Sequence, residues 1–190
     1  MEEQIRILGF TGSLRKNSYN LAALRAARQL LNDGAELEII DLTPIPFFNE
    51  DLEAEGVPQV VADFKKRIAE ADALLIATPE YNYSIPPVLK NALDWASREN
   101  NPVLRGKPVG IMSASPSIFG GARAQYHLRQ VCVVLDLLPL NKPEVFIINA
   151  HTKFDEKGNL TDDRSRTAID NLMRELVKWA RMLKKKEETG

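Results

Sequence analysis

Short apolar runs alternate with longer amphipathic stretches along this chain of 190 residues, and that alternation is the main signal of its fold. Five runs read as strands: Ile5–Phe10, Glu36–Asp41, Ala73–Thr78, Val109–Ser113 and Val145–Ile148. Each is bounded by Gly, Pro, Asn or Asp. Several are continuously apolar rather than alternating, which suits strands buried on both faces of a parallel sheet. The spacing predicts helices over Tyr19–Leu31, Gln59–Glu70, Pro87–Ser97, Ala122–Leu138 and about Thr161–Lys185. In the last of these, Ile169, Leu172, Met173, Leu176, Val177 and Ala180 fall on one stripe.

Strand followed by helix, repeated five times, predicts an α/β fold with right-handed crossovers and helices on both faces of a doubly wound parallel sheet. Five strands in so short a chain favour the flavodoxin-like order 2-1-3-4-5 over the longer dinucleotide-binding arrangement. No repeat or low-complexity linker interrupts the pattern, so residues 1–190 are read as a single domain. Ligands of such sheets bind beyond the carboxyl ends of the strands. The loops to inspect are therefore Thr11–Ser18, Pro79–Pro86 and Ala114–Gly121.

The first loop reads Thr11-Gly12-Ser13-Leu14-Arg15-Lys16-Asn17-Ser18-Tyr19-Asn20. Hydroxyls and amides crowd the start of a helix, where unpaired N–H groups and a partial positive charge already favour a phosphate. Arg15 can add a charge-assisted hydrogen bond. The same Ser and Asn residues could simply cap the helix and form a turn, but their density favours an anion site. Neither the Walker pattern nor the three-glycine dinucleotide fingerprint is present. The second loop carries Pro79, Glu80, Tyr81, Asn82 and Tyr83, with Pro86 and Pro87 stiffening its far end. A rigid, aromatic-walled loop can offer a flat slot to a planar heteroaromatic ring at little entropic cost.

Together these segments resemble the NADPH-dependent FMN reductase family, in its chromate, quinone and azo-dye reductase branch. The likeness is carried by Gly12 to Asn20, by Pro79-Glu80-Tyr81-Asn82-Tyr83-Ser84 with Leu89-Lys90-Asn91-Ala92, and by Gly120-Gly121-Ala122-Arg123; it runs from Ile5 to about Phe146. The resemblance implies FMN as cofactor and NADPH, or NADH, as co-substrate. It implies that Ser13, Arg15, Ser18 and Asn20 hold the FMN phosphate, with Leu14, Lys16, Asn17 and Tyr19 completing that loop. It implies that Pro79, Glu80, Tyr81, Asn82 and Tyr83 line the isoalloxazine ring, largely through main-chain groups, and that Ser115 closes the site from the other side. The third loop, Ala114 to Phe119, departs most from the family pattern through its extra Pro116 and Phe119. The implied reaction passes hydride from nicotinamide to flavin and on to a small-molecule acceptor by a ping-pong scheme, so no side chain is nominated as catalytic.

Composition narrows the alternatives. Lys+Arg is 25 against Asp+Glu 26, a net charge of -1, which argues against a nucleic-acid binder and against a polybasic membrane binder. It also separates a reductase from a strongly acidic flavodoxin-type electron carrier of the same fold. Thr11 and Thr78 stand where a signalling receiver domain needs its acids, and no Gly-x-Ser-x-Gly elbow exists. Cys132 is the only cysteine and is embedded in Val131–Leu135, so it reads as buried and inert; it excludes an internal disulfide. His127 and His151 lack partners at metal-ligand spacing, and no metal is expected. An acidic start and the absence of a long apolar run predict a cytoplasmic protein without membrane insertion. Lys184 to Glu188 reads as a frayed, solvated helix end. The apolar C-terminal half of the fourth helix, Val131, Val133, Val134, Leu135, Leu137 and Leu138, predicts a homo-oligomer interface.

Overall fold

The computed structural model describes residues 3–32, 34–98 and 103–189, and side chains up to residue 185. Its strands are β1 (Ile5–Thr11), β2 (Ala35–Ile40), β3 (Ala73–Ala77), β4 (Pro108–Ala114), β5 (Leu138–Pro139) and β6 (Val145–Ile147). Its helices are α1 (Tyr19–Leu30), α2 (Glu50–Glu55), α3 (Gln59–Glu70), α4 (Pro87–Ala96), α5 (Ala122–Val134) and α6 (Asp163–Thr189), with a 3-10 turn at Ala150–Thr152. All pairings in the sheet are parallel, in the order β2-β1-β3-β4-β5, with β6 also on β4. This is the flavodoxin-like order that the alternation predicts.

The pleat divides the core. On β3, Ala73, Leu75 and Ala77 point to the layer of α1 and α6, whereas Leu74 and Ile76 point to the layer of α3, α4 and α5. Every residue of β3 is buried, which explains why that run is uniformly apolar.

Three elements differ from expectation. The fifth strand is broken in two: β5 pairs with Pro108–Val109 and β6 with Met112–Ala114 of the same neighbour. Pro139 and Pro143 lack the N–H that a continuous ladder requires. The fourth predicted helix ends at Val134 rather than Leu138, because Asp136 takes φ 51° and turns the chain into β5. The short α2 has no apolar stripe to announce it; the Asn49 side chain caps it, accepting from the Asp51 N–H at 2.9 Å, and Glu53 ties it to Arg98. At the C-terminus, Lys184 is not a solvated end: its Nζ lies 3.2 Å from Asp72 and 2.8 Å from Glu3, which fastens α6 to the first strands. The side chains of residues 186–188 lie outside the described residues.

Candidate functional site

The loops after β1, β3 and β4 meet at the carboxyl edge of the sheet. The first runs from Thr11, whose Oγ1 accepts from the Ser13 N–H at 3.2 Å, to Ser18, which caps α1 by accepting from the Leu21 N–H at 3.2 Å. Among the described residues, no hydrogen bond engages the backbone N–H groups of Arg15, Lys16, Asn17 or Tyr19. Unpaired donors at a helix N-terminus form a ready anion seat. Leu14, Arg15, Lys16 and Asn17 are exposed above it, while Ser18 and Asn20 are buried. At its base this loop interlocks with the next one: a Cβ on Gly12 would lie 2.3 Å from Pro86 Cγ and 2.8 Å from Leu89 Cβ. Only glycine lets the two loops approach so closely.

The second loop is a tight turn. Tyr81 and Ser84 exchange N–H···O bonds, each at 3.0 Å, and the two residues between them, Asn82 (φ 48°) and Tyr83 (φ 70°), are left-handed. Such a conformation costs non-glycine residues of order 1–3 kcal/mol each, and it concentrates at ligand clamps. Pro79 is buried beneath the turn, and the Thr78 hydroxyl donates to the Pro79 carbonyl at 2.9 Å. The turn projects Tyr81 and Tyr83 outward.

Glu80 has a different task from its neighbours. Its carboxylate is 8% exposed, pairs with the Arg123 guanidinium, and accepts from the N–H groups of Arg123 at 3.1 Å and Ala124 at 3.3 Å. It thereby supplies the N-terminal cap that Gly121, the residue preceding α5, cannot. Arg123 is in turn stacked between Tyr83 and Phe119, at 3.8 and 4.4 Å from the ring centroids. These three residues join the second loop to the third.

Asn20 also departs from the role the resemblance implies. Its amide donates to the Ala114 carbonyl and accepts from the Ala114 N–H, both at 2.9 Å, so its side chain pins α1 to the end of β4 instead of reaching toward the loop. Ser115 sits where that strand ends, half-buried, with its N–H donating to Ile147 and its carbonyl accepting from Ala150. Gly121, at φ 87°, passes so close to Ser113 that an added Cβ would lie 2.7 Å from that side chain's own. Beyond Ser115, Ile118 and Phe119 form an exposed apolar rim.

Thus Ser13 to Tyr19, Pro79 to Tyr83 and Ser115 are brought to one edge, with Asn20 and the Glu80 carboxylate serving as supports beneath it. Sequence reading named Gly12 and Arg123 only as parts of matching segments. The contacts that define them lie 74 and 43 residues away along the chain, at Pro86 and Glu80. Cys132 is buried, and burial pushes its thiol up to about 12, leaving it inert as expected. His127 is exposed on α5, with Nδ1 3.1 Å from Ser84 Oγ. No group of His, Cys, Asp and Glu among the described residues is arranged to hold a metal.

A sequence profile of the NADPH-dependent FMN reductases matches residues 5–152, which span all three loops. The chain belongs to that family. It is 51% identical over 184 residues to an NAD(P)H-dependent FMN reductase of Pseudomonas aeruginosa, covering 97% of this chain and 100% of that one. It is 48% identical to an NAD(P)H:quinone oxidoreductase of Solanum tuberosum, covering 97% of each. Among solved structures, the flavoenzyme NAD(P)H:(acceptor) oxidoreductase FerB of Paracoccus denitrificans superposes with a TM-score of 0.85 at 30% identity, over 94% of this chain and 98% of the other. The resemblance read from the three loops is therefore upheld, and with it the class: an NAD(P)H-dependent, FMN-containing oxidoreductase. No described helix of this reductase is long and apolar enough to cross a membrane.

Proposed function

We propose that the chain is a cytoplasmic quinone reductase that holds FMN across the three loops and turns over by a ping-pong scheme. The observation that carries the reading is the row of unpaired N–H groups at the start of α1, interlocked through Gly12 with the strained turn after β3. Ser13, Leu14, Arg15, Lys16, Asn17, Ser18 and Tyr19 surround the phosphate, and Asn20 anchors their helix. Pro79, Tyr81, Asn82 and Tyr83 flank the ring with main-chain groups, Glu80 fixes the turn, and Ser115 closes the far side. FMN, held by these residues, would supply the redox chemistry, namely hydride exchange between nicotinamide and acceptor. The protein's own work is to orient the ring, keep one face open, and offer preorganised donors to charge developing on it. Quinones suit the exposed apolar rim of Tyr83, Ile118 and Phe119 because they are flat and apolar; azo compounds and chromate are the further acceptors to compare.

The active unit is a homo-oligomer. Val133 and Val134 are 81% and 82% exposed on α5, beside exposed Tyr126, an arrangement that a second copy of the chain would cover.

The purified protein is expected to be yellow and to oxidise NADPH with a quinone as acceptor. Initial rates at several quinone concentrations should give parallel double-reciprocal lines. A colourless preparation that fails to take up added FMN would refute the flavin assignment, and intersecting lines would refute the ping-pong order.

A further inference from the structure

The amino edge of the sheet, opposite the three loops, carries a cavity of about 470 Å³. It opens where α1 ends at Leu30 and the chain turns through Gly34 (φ 101°) into β2, while α6 runs on alongside from Asp170 to Lys185. Its floor is aliphatic: Leu30, Leu31, Met173, Val177 and Met182 line it, and no aromatic ring does. Met173 belongs to the buried core, and Leu30, Leu31 and Val177 pack on that core while staying only partly buried. Four cations of α6 stand around it, Arg174, Lys178, Arg181 and Lys185, against one carboxylate among the described lining residues, Asp170. Their spacings of four, three and four residues place them along one stripe of the helix.

The charges around the mouth suit an anion. Asp170 is paired with Arg174 at 2.7 Å, but Lys178 meets Glu175 only at 3.6 Å, with both side chains exposed. Exposed pairs of that kind contribute little and are readily exchanged for another anion. The Arg181 guanidinium donates to the Gly34 carbonyl at 3.3 Å, which holds it at the mouth, and a Cβ on Gly34 would lie 3.0 Å from it. None of the residues given to FMN lines this cavity. Ser18, the cap at the other end of α1, is about 18 Å from Leu30 along the helix axis. The volume falls in the range of small-molecule pockets, about 300–1,000 Å³. A floor of Leu, Val and Met suits a flexible hydrocarbon chain, to which methionine adapts easily. The cationic rim then requires that the outer end of the chain be negative. Long Lys and Arg stems can cover the chain while their heads reach that end.

We propose that this cavity binds a single long aliphatic chain ending in an anion, of the class of the fatty-acid carboxylates. Its tail lies on Leu30, Leu31, Met173 and Val177, and its head lies among Lys178, Arg181 and Lys185. The inference is independent of the reductase reading. In titration calorimetry on the protein as purified, dodecanoate below its micelle concentration should bind once per chain. It should bind at least about tenfold more tightly than butyrate, which lacks the tail, and than dodecyltrimethylammonium, which carries the wrong charge. Lys178→Glu/Lys185→Glu should weaken dodecanoate at least about tenfold and cancel its advantage over the ammonium. Lys178→Arg/Lys185→Arg should keep both, with bound FMN unchanged in either variant, since both lysines are exposed and far from the cofactor edge. Absence of saturable binding, or equal binding of dodecanoate and the ammonium, would overturn the proposal. So would dodecanoate binding that the first double variant leaves unchanged, which would place the chain on the exposed valines of α5 or on the acceptor rim. Co-sedimentation with anionic phospholipid vesicles, without binding of monomeric dodecanoate, would also overturn it and assign this face to a membrane surface.

Discussion

At the scale of single residues, the cofactor edge depends on a few groups whose substitution has a defined direction. Arg15 stands exposed above the unpaired N–H row, with only the Asn17 carbonyl accepting from its guanidinium, at 3.2 Å. Its replacement by Ala should weaken FMN binding by ~1.5–3 kcal/mol, the contribution of a hydrogen bond to a charged group, with little effect on folding. Fluorescence titration of the apoprotein measures this directly. Gly12→Ala acts differently. Its methyl group would enter the space of Pro86 and Leu89, and such overpacking costs about 1–3 kcal/mol of stability. The loop after β3 must shift to relieve it, so the variant should also change the visible spectrum of bound FMN. An unaltered melting temperature together with an unaltered spectrum would mean that the two loops are not interlocked as described.

At the scale of elements, most of the sheet is legible from hydrophobic runs alone, because β1, β3 and β4 are buried on both faces and tolerate little polarity. Edges read less well. The outer edge strand is split because prolines interrupt it, and α2 is invisible to periodicity because a six-residue helix held by Asn49 and Arg98 needs no apolar face. The loop proposed for the phosphate can be picked out because its donors are contiguous in sequence. The supporting roles of Asn20 and Glu80 are not legible there, since their partners, Ala114 and Arg123, are distant residues that only the fold brings near.

The start of α6 shows what an element end contributes. Asp162 accepts from the Ser165 N–H at 2.9 Å and from its hydroxyl at 2.6 Å, and it pairs with Lys153. The Lys153 ammonium first, and then Ser165, lower its carboxyl from an ordinary 3.8 to about 2. Because the folded value lies below the unfolded one, the stabilisation is complete above about pH 4 and drains away as pH falls toward 2. Asp162→Ala should therefore cost about 0.5–2 kcal/mol at neutral pH. In urea titrations, the gap between the variant and the parent should narrow between pH 4 and pH 2. A gap independent of pH would contradict the assignment of that carboxylate as the cap.

At the scale of the whole molecule, the near-balanced charge and the apolar outer surface of α5 belong together. A chain with net charge -1 has little self-repulsion to keep copies apart. Val133 and Val134 present an uncovered patch on the helix that Glu80 caps. Light scattering at micromolar concentration should report a dimer or tetramer, and Val134→Glu should shift it toward monomer. A parent protein that runs as a monomer would remove the basis for placing an interface on α5. Because α5 begins beside Tyr83 and Phe119, a change in assembly should be felt first in the KM for the acceptor, before the coenzyme.

The pairing of Asn20 with Ala114 reaches further than one helix. It ties the proposed seat of the phosphate to the carboxyl end of β4 by two buried hydrogen bonds, so the seat is built when the sheet is built. On the proposed function, flavin uptake is then expected to be docking onto a finished surface and not coupled folding. The heat-capacity change on binding should be no larger than the area covered by the cofactor itself requires. Exchange of the Ala114 amide hydrogen should be equally slow with and without FMN. An apoprotein so built is expected to lose its cofactor and regain it without passing through a disordered state.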